Sequence, residues 1–352
     1  MRLTSALCRS WRNASTIILA APSGVASCAL NYDVLMLKRS SNSSFFPSAY
    51  VFPGGRVSRD DYSEKWRNLY ATNGIPDLEA SLPQPKEQAP MFVEREFDST
   101  LPSDFAYRIC AIRETFEEAG VLIHKSEQAI DADELKSWRK VVHNDASKFV
   151  DCCEQLGVIP DVWSLHEWSD WLTPTHMPEM HNLRRFDTAF YLCCMDHQPA
   201  LNECDQEITS SHWESPASYF QSFIRGKTWL APPQVYEVSR LCNFRDLKML
   251  KQFAKQRESE GIERWMPVRV KCRDGIVALL PGDVMYPEFP QLEEAESKAL
   301  TLPRDMSDYL DLSKPTHRFH FVSLYETVIH CNISLNCAHA LPLPQSLILD
   351  IS

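Results

Sequence analysis

At 352 residues and 44% hydrophobic content, the chain is long enough for one large or two medium domains and apolar enough for a sizeable core. A formal charge of −11 excludes a broad electrostatic grip on DNA or an anionic membrane surface, so any phosphate-bearing ligand must meet a local basic patch. No run approaches the roughly 20 apolar residues of a membrane span, and the twelve cysteines are scattered without a C-x-x-C pair, which points to reduced thiols in an intracellular compartment and argues against zinc.

The first fifteen residues carry Arg2, Arg9 and Arg12, several serines and no acid, a faint likeness to a mitochondrial presequence. Thr16–Ala21 and Val34–Leu37 are short apolar runs around a Pro/Gly/Ser turn, and read as paired strands. The stretch LMLKRSSNSSFFPSAYVFPGG, 35–55, follows. Lys38 and Arg39 are suited to neutralising phosphate, and Gly54 and Gly55 to letting a ligand approach the backbone closely; an ordinary strand end with a tight turn is the plainer reading. Residues 57–104 combine a helix expected over Asp60–Ala71 with a proline-rich, acidic tract that makes a poor core, so the segment is expected to be a surface excursion.

ICAIRETFEEAGVLI, 109–123, is the most informative stretch. As a helix it aligns Ile109, Ile112, Phe116 and Ala119 on one side, sets Glu114, Glu117 and Glu118 on another, and stops at Gly120 before an apolar strand; Asp104 is the expected N-cap. Like charges at this spacing repel by about 0.2–0.5 kcal/mol per exposed pair. Arg113 can offset one carboxylate, and a hard divalent cation such as Mg²⁺ or Mn²⁺ all three; a solvated acidic face is the alternative that spacing leaves open.

Asp131–Gly157 reads as helical, with His143 and the Cys152–Cys153 pair as packing residues. Strands are expected at Trp163–Trp168 and over 184–195, the latter led by Arg184 and Arg185, which could meet a phosphate or simply be solvated. In DQEITSSHW, 205–213, Glu207 is a candidate additional ligand or base, with a cross-strand ion pair as the equal alternative. A long amphipathic helix is expected from Pro233 through Phe253, then a hairpin turning at Asp274-Gly275; 290–352 is the least informative part and is expected to be loosely packed. The C-terminal LILDIS is not an SKL-type peroxisomal signal. The protein is expected to be intracellular: mitochondrial, peroxisomal or cytosolic.

Arg113, Glu114, Glu117, Glu118, Gly120 and Val121 resemble, position by position, the second half of the Nudix box, R-E-U-x-E-E-x-G-U with U bulky and apolar; Thr115 departs at the first U. The first half is displaced: the Glu and Gly positions fall on Phe105 and Ser99, and the suitable glycines are Gly54 and Gly55, which implies an insertion over 57–104. Lys38, Arg39, Ser40 and Phe52-Pro53-Gly54-Gly55 resemble the coenzyme A signature LLTKR[SA]-x3-R-x3-G-x3-FPGG, with Ser44 and Ser48 at its internal Arg and Gly places. With RRFDT, PPQVYEV and LLPGDVMYPE, the likeness over roughly 11–290 is to the acyl-coenzyme A diphosphatase branch of the Nudix hydrolases.

The resemblance implies an α/β fold, an α/β/α sandwich around a mixed sheet with an insertion before the catalytic helix and a C-terminal helical extension. The expected limits are an N-terminal segment 1–15, a hydrolase domain 16–230, an extension 231–290 and a tail 291–352. It implies Mg²⁺ or Mn²⁺ held by Glu114, Glu117 and Glu118, with Glu114, Glu117 and Arg113 in catalytic roles and Lys38, Arg39, Gly54 and Gly55 toward the substrate. Coenzyme A or acyl-CoA is the implied substrate. ADP-ribose, NADH or capped RNA, or non-catalytic nucleotide binding, remain the alternatives.

Overall fold

A computed structural model gives the structure of the chain and describes residues 11–24, 29–43, 46–94, 97–126, 129–174, 185–201, 208–288, 300–323 and 325–351. β1 (Arg12–Pro22) lies inside an eight-stranded mixed sheet ordered β3 (Tyr50–Val51), β2 (Tyr32–Arg39), β1, β6 (Phe186–Cys194), β5 (Leu165–Leu172), β8 (Arg264–Trp265), with β4 (Gly54–Arg56) on β1 and β7 (Ile208–Glu214) on β2. β1 runs parallel to β6 from Arg12↔Phe186 to Ala20↔Cys194. Its other edge is shared: β2 takes Ala20–Pro22 and β4 takes Ala14–Thr16, while Ile17 between them donates its N–H to Pro53 O. That division brings the Gly54-Gly55 turn against the middle of the sheet.

Alternation along β1 sends its residues to two cores. Ile17 and Leu19 join Leu35, Leu37, Ile109, Ile112 and Phe116 on one face; Ile18 and Ala20 join Val34, Met36, Leu192, Val235 and Val238 on the other. Counting α1 as Lys65–Thr72, the first face carries α2 (Ser103–Ala119), α3 (Ala132–Asn144) and α4 (Lys148–Leu156), and the second α5 (Pro216–Ile224), α6 (Pro232–Leu241) and α7 (Leu247–Gln256). The expected α/β/α layering is present.

Several expectations need correction. No strand directly follows Gly120, since residues 121–123 join no ladder and only His124 makes an isolated bridge, to Pro160; the helix expected over Asp60–Ala71 is a 3-10 turn, Arg59–Tyr62, followed by α1. The excursion 57–104 is part of the core: Val57, Tyr62, Trp66, Tyr70, Leu78, Met91, Phe92 and Leu101 are buried, Phe92 meeting Tyr107 and Tyr70 meeting Phe105 edge-on. It packs on α2, whose Glu117 and Glu118 are themselves buried. The helix expected from 131 to 157 is two, because Asp145 ends α3 and Gly157, at φ 66°, ends α4; Asp131 caps the first through the N–H groups of Asp133 and Glu134. The helix expected from Pro233 to Phe253 likewise breaks after Leu241, and Asp246 caps its successor by accepting from Lys248 and Met249. Finally, α2 starts after Pro102 with no side-chain cap; Asp104 instead accepts from Arg108 Nε (2.9 Å) and Tyr191 Oη (2.7 Å).

The C-terminal part is more ordered than its polarity suggests. β9 (Val268–Lys271) and β10 (Ile276–Leu279) form the expected hairpin, and β11 (Leu300–Thr301), β12 (His317–Phe321) and β13 (Thr327–Cys331) complete a second sheet ordered β11-β9-β10-β12-β13. Phe319 and Ala278 enter the second-face core beside Tyr236 and Trp265. Within that core the PPQVYEV segment supplies Glu237, fully buried and accepting from Trp168 Nε1, Ser169 Oγ, Trp171 Nε1 and Arg240 Nη1 at 2.7–2.8 Å. A carboxylate so buried is tolerable because these donors and one cation satisfy it.

Candidate active site

Two pieces of backbone define the site: the last two turns of α2 and the turn from Phe52 to Arg56. The turn is pinned to β1 by Thr16, whose Oγ1 donates to Pro53 O at 2.5 Å, and by the pairs Thr16↔Gly54 and Ser15↔Gly55. Glu118 crosses the gap, its Oε2 accepting the Gly54 N–H at 2.9 Å. Gly55 sits so near Glu114 that a Cβ there would lie 2.5 Å from the carboxylate carbon. These glycines are needed for close approach: at Gly54 a Cβ would meet Ser15 O and Thr16 Oγ1 at 2.4 Å.

Arg113 organises the acids. Its Nη1 donates to Glu114 Oε1 and Glu117 Oε1, each at 2.8 Å, while Nε and Nη2 grip Asp61 at 2.9 Å each. Burial opposes the guanidinium's charge, but Asp61 and Glu114 outweigh it and raise its pKa well above the ordinary value. Asp61, 1% exposed, comes from the inserted segment, where Ser58 and Asp61 form a capping box. Sequence reasoning missed it, although S-x-x-D at 58–61 was a legible helix-start signal. Arg139 and His143, on α3, also reach the glutamates and were read only as parts of a packing helix.

Electrostatically the site is an acidic cluster under tension. Burial pushes the Glu114 carboxyl up to about 7; Arg113 pulls it down and the neighbouring Glu117 pushes it further up. Glu114, with its side chain 16% exposed, is the most accessible of its cluster partners Arg113 and Glu117, at 4% and 11%. Among the described residues no three His, Cys, Asp or Glu side chains close into a cage for an ion. Mg²⁺ and Mn²⁺ seldom use one: they are held by one or two carboxylates together with water and substrate phosphate. Hard oxygen donors on one helix face, with the Glu114 and Glu117 carboxylates crowding one another, fit such an ion.

The other nominated residues lie apart from this cluster. Lys38 and Arg39 end β2, opposite β3, which precedes the glycine turn; Lys38 Nζ lies 5.8 Å from the Tyr50 ring centre and Arg39 donates to Ser43 Oγ at 2.8 Å. Beside them Phe46 packs edge-on against Trp229 at 5.2 Å. Ser48, at the glycine place of the coenzyme A signature, has φ 60°, the left-handed conformation that glycine adopts without cost. Arg185 lies over the Trp11 ring at 5.6 Å. Ser44, Arg184 and Glu207 lie outside the described residues.

The family model described as the NUDT19 Nudix domain matches residues 11–241, and that described as the NUDT19 C-terminal domain matches 269–332. The chain is 39% identical to the acyl-coenzyme A diphosphatase NUDT19 of Gallus gallus, covering 95% of each chain. It is 35% identical to the proteins of that name from Xenopus laevis, over 95% of this chain and 96% of the other, and Homo sapiens, over 94% of each. Among solved structures, a NUDIX hydrolase from Alicyclobacillus acidocaldarius superposes with a TM-score of 0.51 at 19% identity, over 69% of this chain and 96% of that one, a likeness of fold.

Proposed function

The chain belongs to the NUDT19 family of Nudix hydrolases, and from that premise we propose that it hydrolyses the diphosphate of coenzyme A and acyl-coenzyme A esters to 3′,5′-ADP and (acyl-)4′-phosphopantetheine. Relatives named acyl-coenzyme A diphosphatase match it over nearly their whole length, which supports the substrate class. The observation that carries the reading is the Glu118 to Gly54 contact: it joins the glutamate helix to the glycine turn across the long insertion. The two halves of the box, separated in sequence, are thereby adjacent in space.

A bound Mg²⁺ or Mn²⁺ would neutralise the diphosphate oxygens and lower the pKa of a water. Glu117 and Glu118 would hold it, joined by Glu114, which lies against Gly55 of the turn. Arg113 keeps Glu114 and Glu117 from swinging apart by holding one oxygen of each, and Asp61 keeps Arg113 in place. Water adds across the P–O–P link: one P–O bond forms as the water gives up its proton to solvent, the bridging P–O bond breaks, and its electron pair leaves on the departing phosphate oxygen. Gly54 and Gly55 let the turn pack directly against β1 and the Glu114 carboxylate. Lys38 and Arg39 would take a substrate phosphate; Arg39 now donates to the neutral Ser43 hydroxyl, and a phosphate would offer it an anionic, bidentate acceptor instead.

A screen of coenzyme A, acyl-CoA, ADP-ribose, NADH and capped RNA with Mg²⁺ and with Mn²⁺, with products identified by mass, tests the proposal. Cleavage of the coenzyme A compounds to 3′,5′-ADP is expected. Cleavage of ADP-ribose with coenzyme A left intact would replace the substrate assignment.

A further inference from the structure

Helix α3 lies outside the Nudix box, yet two of its side chains meet the box glutamates. α2 ends at Ala119, and Gly120, at φ 74°, returns its N–H to Phe116 O. Carbonyls in a helix's last turn have no helical donor. Arg139 provides one for two of them: Nε donates to Glu117 O and Nη2 to Glu118 O, both at 2.9 Å, and the side chain is buried. One turn further along the same face, His143 Nδ1 faces Glu117 Oε2 at 3.7 Å. Arg113 already holds the opposite oxygen of that carboxylate.

Glu117 is thus addressed at its main-chain oxygen and at both carboxylate oxygens, by three side chains from two helices. Helix α3 is itself firmly seated: Val142 is fully buried in the first-face core, and Leu135 and Trp138 pack against it. A cation at a helix C-terminus could serve stability alone. The combination here is more specific, because Arg139 and His143, at i and i+4, converge on one residue.

We infer that Arg139 and His143 are positioning residues for the metal-holding carboxylates. Arg139 sets the height and rotation of the last turn of α2, and His143 sets the plane of the Glu117 carboxylate. This rests on the reading of Glu117 and Glu118 as the residues that hold the ion. Partners behind a metal ligand typically govern about 10–100-fold in metal affinity or activity.

The test measures Mn²⁺ binding to the full-length protein without substrate, by the loss of free Mn²⁺ signal in electron paramagnetic resonance, beside kcat, KM for acyl-CoA and the melting temperature. His143→Ala should weaken Mn²⁺ about tenfold and lower kcat, leaving KM and melting unchanged. His143→Asn, whose amide can replace the Nδ1 donor, should restore most of the affinity. Arg139→Gln should weaken Mn²⁺ at least as much and also melt earlier; Arg139→Lys, with one donor point instead of a fork, should recover melting more than affinity. Wild-type Mn²⁺ affinity in both His143→Ala and Arg139→Gln would overturn the inference. Should the wild type bind Mn²⁺ but leave acyl-CoA intact, the substrate assignment falls while the Mn²⁺ series still decides the positioning roles. Should the wild type bind no Mn²⁺ either alone or with 3′,5′-ADP present, both fall.

Discussion

Gly55→Ala separates activity from stability. Its backbone lies outside the positive-φ set, so alanine can adopt the conformation. The new Cβ, however, would sit 2.5 Å from Glu114 Cδ and 2.6 and 2.7 Å from its two oxygens. Ordinary carbon contacts begin near 3.5 Å, so the carboxylate must retreat by about 1 Å. That retreat stretches the 2.8 Å bond from Arg113 Nη1 and shifts the carboxylate from its place. Because what yields is the tip of a flexible side chain, the cost is about 1 kcal/mol for a strained rotamer, offset by roughly 0.4–1 kcal/mol from the stiffer unfolded chain. Melting should therefore stay within about 4 °C of wild type. A misplacement of about 1 Å near the reacting groups costs on the order of 100-fold in rate. Initial rates of acyl-CoA cleavage at saturating Mg²⁺, beside thermal melts, give both numbers. Gly54→Ala is the contrasting control: its Cβ meets backbone at Ser15 O and Thr16 Cα, so it should lose stability outright. Gly55→Ala retaining more than half of wild-type activity would refute the placement of Glu114 against this turn.

Ser48→Gly should stabilise the protein by roughly 1 kcal/mol, since serine bears the left-handed strain at φ 60° that glycine does not; an unchanged or lower denaturation midpoint would contradict this. Asp61→Asn removes the anion that grips Arg113 through Nε and Nη2. Loss of one member of a buried pair costs about 3–5 kcal/mol, so chemical denaturation should shift by that order, and activity should fall with it. His317 is fully buried, Nδ1 bonded to Pro281 O and Nε2 to Tyr236 Oη, and burial lowers its pKa to about 4. With the folded pKa below the unfolded value, the unfolded chain takes up the proton first as pH falls. The stability held by neutral His317 is complete above about pH 6.5 and declines down to about pH 4, by at most on the order of 3 kcal/mol. Urea unfolding of wild type and His317→Gln across pH 7 to 4.5 should show the wild type's margin shrinking with acid; a constant margin would exclude His317 as the cause.

The glutamate helix, its glycine stop, the two strands before it and the Asp274-Gly275 hairpin were legible because each rests on local spacing. Proline and acid content hid the role of 57–104: Trp66 and Tyr70 share the two-turn helix α1 while Phe92 lies on another short element, so no single period runs through the segment. The breaks at Asp145 and Asp246 interrupt apolar patterns that run through them, and the capping aspartates were the overlooked signals. At the site, Glu114, Glu117, Glu118 and Arg113 share one helix and could be grouped from spacing. Asp61, Arg139 and His143 arrive from other elements, and only the fold brings them there.

Whether carboxylates at 114, 117 and 118 direct water onto a diphosphate is tested most directly by acyl-CoA turnover in heavy-oxygen water, wild type against Glu117→Gln, at saturating Mg²⁺. The wild type should release 3′,5′-ADP and acyl-phosphopantetheine in equal amounts, with one heavy oxygen in one of the two phosphates. Glu117→Gln should fold as the wild type does and turn over nothing. Full activity in Glu117→Gln, or acyl-CoA left intact by the wild type, would contradict the assignment.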